Sequence, residues 1–181
     1  METKVYLFSL VSSRKKYSNL TKREFEKLVG DHALRTVFTN LFGFCEFTIC
    51  RDGKPYIKNS PYQFNLSHSA DFLLLAVGDV PVGADVEKIT EIRPKLMKKY
   101  FSKEEQEQVE KEGKKAFFEF WCQKESYVKY TGEGIKALTN SLVIPKNVGF
   151  YTESFFGYQI CVCTEISHLP KQVEMMGELI L

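Results

Sequence analysis

Three apolar runs, at 63–67, 72–78 and 82–88, follow one another across gaps of only four and three residues, His68-Ser69-Ala70-Asp71 and Asp79-Val80-Pro81. Short turns between apolar runs predict a meander of hairpin-linked strands. Helical patterns flank it. Thr21 and Glu24 are spaced as a capping box, and Phe25, Leu28, Val29, Leu34, Val37, Phe38 and Leu41 follow at helical intervals up to Gly43. Pro94 opens a short helix to Tyr100. Ser102 and Glu105 form a second capping box, and a longer helix runs from about Lys115 to Tyr130, closed by Gly132 and Gly134. Further strands are predicted at 4–11, 46–51, 141–145, 148–152, 157–164 and 177–181, with a turn at Asp52-Gly53. Helices interleaved with hairpin-linked strands make the fold class α+β. The segment after Gly134 is expected to complete the sheet of a second subdomain.

With 181 residues, of which 44% are hydrophobic and 14% aromatic, the chain can bury a substantial core as one domain or two small packed subdomains. A net charge of +2 calls for no nucleic-acid partner. No run approaches the roughly 18 apolar residues of a membrane span, and the opening residues read as a strand and not as a signal peptide. The five cysteines, Cys45, Cys50, Cys122, Cys161 and Cys163, are odd in number and include no Cys-x-x-Cys pair, which predicts reduced, buried thiols. A cytoplasmic protein is the resulting expectation.

Chemistry concentrates in three places. In the strand Val82-Gly-Ala-Asp-Val-Glu87 the side-chain alternation turns Asp85 and Glu87 to one face. Two adjacent carboxylates repel unless a cation joins them, and their oxygens suit magnesium. The same pair also describes the solvated face of an edge strand. On the long helix Trp121, Glu125 and Lys129 lie four apart on one face, which alone is equally an i,i+4 ion pair beside a core tryptophan. Phe64-Asn-Leu-Ser-His-Ser69 offers hydroxyls and an imidazole at a strand end, either as phosphate ligands or as turn chemistry. No Gly-x-Ser-x-Gly elbow points to a serine hydrolase.

Together these segments resemble the 4′-phosphopantetheinyl transferases of the large, pseudodimeric, surfactin-synthetase-activating (Sfp-type) class. The motifs carrying the resemblance are Gly53-Lys54-Pro55, Phe64-Asn-Leu-Ser-His-Ser69, Val82-Gly-Ala-Asp-Val-Glu87, Phe101-Ser-Lys-Glu-Glu105 and Trp121-Cys-Gln-Lys-Glu-Ser-Tyr-Val-Lys129, in the family's order across 53–129. The helix carrying Gly30, Asp31 and Arg35 is also similar. The resemblance implies two similar subdomains, 1–78 with the coenzyme A contacts and 79–181 with the metal and carrier sites, forming a pseudodimer with its active site in the cleft between them. It implies Mg2+ held by Asp85, Glu87 and Glu125, with Glu87 acting partly through water. Coenzyme A phosphates would meet Arg35, Lys54, Ser67, His68, Lys124 and Lys129. The implied reaction moves phosphopantetheine from coenzyme A to a carrier-protein serine. Glu125 is the first candidate for the base and Glu105, which also has a capping role, the second; Lys129 helps stabilise the charge that develops. Larger relatives carry a basic stretch before the first helix; here the nearest basic residues are Arg14, Lys15, Lys16, Lys22 and Arg23.

From Arg93 to Lys103 there are five basic residues and no acid, with Leu96, Met97, Tyr100 and Phe101 among them. That segment is a candidate dock for the acidic acyl or peptidyl carriers the family implies, or a solvated helix face with its apolar side in the core. The family implies a monomer. Competing readings are another magnesium-dependent phosphotransferase or nuclease, and a carrier-binding homologue without catalysis.

Overall fold

The computed structural model describes residues 1–43, 47–49, 55–57 and 60–181. In chain order the elements are β1 Lys4–Ser9, α1 Val11–Lys16, α2 Lys22–Phe42, β2 Phe47–Ile49, β3 Pro55–Ile57, β4 Gln63–Ser69, β5 Phe72–Gly78, β6 Gly83–Lys88, α3 Pro94–Tyr100, α4 Lys103–Glu112, α5 Lys114–Thr131, β7 Val148–Phe155, β8 Tyr158–Glu165 and β9 Glu174–Glu178. Both capping boxes are formed: the Thr21 and Ser102 hydroxyls accept the backbone N–H of Glu24 and Glu105, whose carboxylates reach back to the cap. Lys54, Cys45, Cys50 and the Asp52-Gly53 turn lie outside the described residues.

The described strands form a four-stranded sheet in the order β4-β5-β1-β9, a three-stranded sheet in the order β6-β8-β7, and the small β2-β3 pair. The meander expectation is therefore half right. β4 and β5 are an antiparallel hairpin, but β6 leaves for the second sheet and pairs with β8. β5 reads Phe-Leu-Leu-Leu-Ala-Val-Gly because both of its faces are covered. Leu73, Leu75 and Val77 pack with Tyr6 and Phe8 under Phe25, Val29, Leu34, Val37 and Phe38 of α2. Leu74 and Ala76, with Val5 and Leu7, meet Val82, Ala84, Val86, Ile160 and Val162 of the second sheet. α5 covers the outer face of that sheet, where Ser126 donates to Cys161 Sγ at 3.2 Å and Cys122 contacts the Gln159 carbonyl. The layers thus run α2, first sheet, second sheet, α5. A third cluster, including Tyr100, Phe101, Val109, Phe117, Phe118 and Trp121, fixes α3 and α4 to α5. Each half runs strand, helix, hairpin, and the orders β4-β5-β1 and β7-β8-β6 correspond.

Other expectations are corrected. The first strand stops at Ser9, and 11–16 form a short helix tied down by the Ser13 hydroxyl on the Leu179 carbonyl and Arg14 Nε on the Ala70 carbonyl. Residues 141–145 are not a strand: Leu142 packs into the helical cluster, Val143 is exposed, and Pro145 has no N–H to offer a ladder. The segment after Gly134 does complete the second sheet, through β7 and β8, but the last strand starts at Glu174 and lies parallel to β1 in the first sheet.

Gly83 sets the distance between β6 and α5. A Cβ there would fall 1.9 Å from the Ser126 carbonyl oxygen and 2.4 Å from the Tyr130 nitrogen, both helix backbone. Gly83→Ala is expected to force strand and helix apart and to cost at least the roughly 1–3 kcal/mol of an overpacked core, read as a lowered denaturation midpoint in urea.

Candidate active site

β4, β6 and α5 converge on Asp85. Alternation along β6 buries Ala84 and Val86 against the first sheet and turns Asp85 and Glu87 toward α5. Asp85 is only 4% exposed. Its Oδ1 accepts from Lys129 Nζ at 2.7 Å and from the Ser67 hydroxyl at 2.9 Å. The same ammonium donates to the Ala84 carbonyl at 3.0 Å and to Ser67 Oγ at 3.1 Å, so its three protons are spent on three fixed acceptors. Asp85 Oδ2 is buried with no hydrogen-bond partner among the described residues. The buried Cys122 thiol lies beside this acid, and burial first, then the Asp85 charge, pushes it well above the usual thiol range.

Glu87 is held from the helix side. Its Oε1 accepts from Trp121 Nε1 at 3.1 Å and from Arg93 Nη2 at 3.3 Å, while Ser69 Oγ lies 3.5 Å from Oε2. The Arg93 guanidinium sits over the rings of Phe117, Phe118 and Trp121, at 5.8, 5.5 and 5.3 Å from their centroids. Arg93 and the Trp121 N–H were not visible as ligands of Glu87 in the sequence, where Arg93 read as one of a basic run.

Glu125 lies one helical turn before Lys129. Burial raises its carboxyl above the ordinary carboxylate range, the charges of Asp85 and Glu87 push the same way, and Lys129 and Arg93 oppose them. The structure pairs Lys124 with Glu105: its buried Nζ is 2.9 Å from Glu105 Oε1 and lies over the Phe101 ring. Glu105 Oε2 meanwhile accepts the Ser102 N–H at 2.6 Å. His68 turns to the opposite side of β4 from Ser67, with Nδ1 3.7 Å from Glu26 Oε1 on α2. Burial outweighs Glu26 and lowers its pKa, which leaves the ring neutral near pH 7. Arg35 is exposed on α2, about two and a half turns beyond Glu26.

The donor chemistry fits a small hard cation: carboxylate oxygens only, one of them buried and unpartnered, with a neighbouring carboxyl whose charge the other two disfavour. Among the described residues no three His, Cys, Asp or Glu side chains are gathered into a ready-made cage.

Comparison with known proteins places the chain in a family. The sequence model of the 4′-phosphopantetheinyl transferase superfamily matches residues 81–177, from the start of β6 into β9. The 4′-phosphopantetheinyl transferase gsp of Aneurinibacillus migulanus is 32% identical over 155 residues, 78% of this chain and 65% of that protein. The transferase psf-1 of Bacillus pumilus is 39% identical over 89 residues, 46% and 38% of the two chains. The transferase Sfp of Bacillus subtilis (strain 168) is 26% identical over 175 residues, 83% and 78% of the two chains. The chain spans less than two thirds of the length of the first two. With a family match over more than half its length, the chain belongs to the 4′-phosphopantetheinyl transferase superfamily.

Removing one partner of a buried ion pair strands the other. Lys129→Met is expected to destabilise the fold by about 3 kcal/mol in urea melts, and Asp85→Asn combined with Lys129→Met to recover part of that loss.

Proposed function

We propose that the protein transfers 4′-phosphopantetheine from coenzyme A to a serine of an apo carrier protein in the presence of Mg2+, releasing adenosine 3′,5′-bisphosphate. The observation that carries this reading is the buried Asp85, paired with Lys129 on one oxygen and unpartnered among the described residues on the other, beside Glu125, whose pKa burial raises. Membership of the superfamily supports this reaction for such a centre. Asp85 and Glu125 would hold the cation, with Glu87 reached through water because its own oxygens already take Trp121, Arg93 and Ser69. Bound magnesium would supply charge neutralisation at the phosphoryl oxygens.

The carrier serine oxygen attacks the phosphorus next to the pantetheine arm, and the bond from that phosphorus to the bridging oxygen breaks. The serine proton must go to a base. Glu125 is the first candidate for that task, because Glu105 is already engaged by the Ser102 N–H and by Lys124. Lys129 would stabilise charge on the transferred group. Neutral His68 would meet other phosphates of the substrate, with Arg35 and Lys54 as further contacts, while Lys124, buried on Glu105, would organise the cleft. A groove of about 340 Å³ beside Lys129, with Phe64, Leu66 and Val128 among its walls, would take the arm.

The shared strand–helix–hairpin plan supports a pseudodimer divided near residue 78, with the active site in the cleft between the halves; β9 crosses back to the first. No described helix is long and apolar enough to cross a membrane. On α3, Leu96, Met97 and Tyr100 pack inward, which leaves Lys95, Lys98 and Lys99 exposed as the face an acidic carrier would meet.

Intact-mass spectrometry of apo acyl and peptidyl carrier proteins incubated with this protein, coenzyme A and Mg2+ tests the reading. A phosphopantetheine-sized gain that chelator abolishes is expected; no gain on any carrier sinks it. Asp85→Ala and Glu125→Ala are expected to lower the rate at least about 1,000-fold with the fold intact by circular dichroism. Lys98→Glu with Lys99→Glu is expected to raise KM for the carrier about tenfold and leave KM for coenzyme A unchanged; unchanged carrier kinetics would remove α3 from the docking face.

A further inference from the structure

β6 is the edge of its sheet, so the backbone N–H groups of Ala84, Val86 and Lys88 point away from β8. An edge strand ordinarily leaves such groups to water or to another strand. Here side chains of β4 take all three. Asn65 Oδ1 accepts from the Ala84 N–H at 3.0 Å, Ser67 Oγ from Val86 at 3.3 Å and Ser69 Oγ from Lys88 at 3.0 Å. The spacing is two residues on both strands, so the contacts form a ladder with side chains on one rail and backbone on the other.

The chemistry of each rung matches what stands opposite. A hydroxyl accepts and donates, whereas an amide oxygen only accepts. Ser67 accepts from Val86 and donates to Asp85 Oδ1 at 2.9 Å; Ser69 accepts from Lys88 and faces Glu87 Oε2 at 3.5 Å. Asn65, opposite Ala84, has no acid to serve and uses its carbonyl oxygen. A slip of β6 by one residue would break every rung and turn both acids into the apolar layer between the sheets.

We propose that Asn65, Ser67 and Ser69 are positioning residues: they lock β6 in a single register against the first sheet and aim Asp85 and Glu87 at the divalent-cation site. The aiming part rests on the reading of those acids as cation ligands. The register part stands on the hydrogen bonds alone. Ser69 thereby gains a role in holding Glu87, and Ser67 one in holding Asp85 apart from any contact with phosphate.

The test uses the full-length 15N-labelled protein, with amide hydrogen exchange and Mn2+ titration followed by electron paramagnetic resonance. In the wild type the Ala84, Val86 and Lys88 amides should exchange slowly although β6 is an edge. Ser69→Ala should speed exchange of the Lys88 amide and weaken Mn2+ binding about tenfold, the effect typical of removing a partner that orients a metal ligand; Ser69→Thr should preserve both. Ser67→Ala should do the same at Val86. Should Ser67→Ala fail to fold, Ser69→Ala, at the half-buried end of the ladder, carries the test. Unchanged Lys88 exchange and unchanged Mn2+ affinity in Ser69→Ala would overturn the proposal. A wild type with protected amides that binds no Mn2+ would overturn the cation reading and the aiming part with it, while the exchange data uphold the register part.

Discussion

An acid buried between a strand and a helix needs a cation at hydrogen-bond distance, and Lys129 supplies it to Asp85 at 2.7 Å. That contact exists only because β6 lies against α5, and β6 can lie there only because position 83 has no side chain. The same proximity brings Glu87 to Trp121 and places Glu125 in the field of both acids. One close approach of backbones therefore sets the distances on which the site's electrostatics depend.

Around it the charges are sorted into closed and open groups. Lys124 and Glu105 satisfy each other and brace α4 against α5. Glu87 is spoken for by an indole, a guanidinium and a hydroxyl. Among the described residues, Asp85 Oδ2 and Arg93 Nε are left buried without a partner, and the Glu125 carboxyl is pressed toward its neutral form. The complete pairs form the scaffold around the incomplete ones.

Much of this was legible in the chain. Period-two alternation put Asp85 and Glu87 on one face, period-four spacing put Glu125 and Lys129 on another, and two capping boxes fixed the starts of α2 and α4, because all of these depend on neighbours a few residues away. The sheet assignment of β6 was implied by the family resemblance, which divides the chain at residue 78, but not by the spacing of the apolar runs. The turn at 79–81 is short enough for a hairpin, and only burial of Val82, Ala84 and Val86 against a different sheet sends the strand elsewhere. The grip of Arg93 on Glu87, and the pairing of Lys124 with Glu105 across two helices, likewise depend on tertiary packing, which spacing does not encode. The segment 141–145 misled for a simpler reason: Leu142, Val143 and Ile144 have strand composition but are followed by a proline.

β9 joins residues 174–178 to residues 6–9 in parallel, so the first sheet is finished by a strand from the far end of the sequence. During synthesis the N-terminal half emerges first and can form its helix and hairpin, but β1 keeps a bare edge until the last strand has left the ribosome. Ser9 and the Ser12 amide then receive the Glu178 carboxylate, and the Leu179 N–H bonds the Ser9 carbonyl. Such distant closure carries a large chain-entropy cost before it is rewarded. Until β9 pairs with it, that edge of β1 presents unpaired backbone groups, the part of the first sheet that depends on the most distant contact in the sequence.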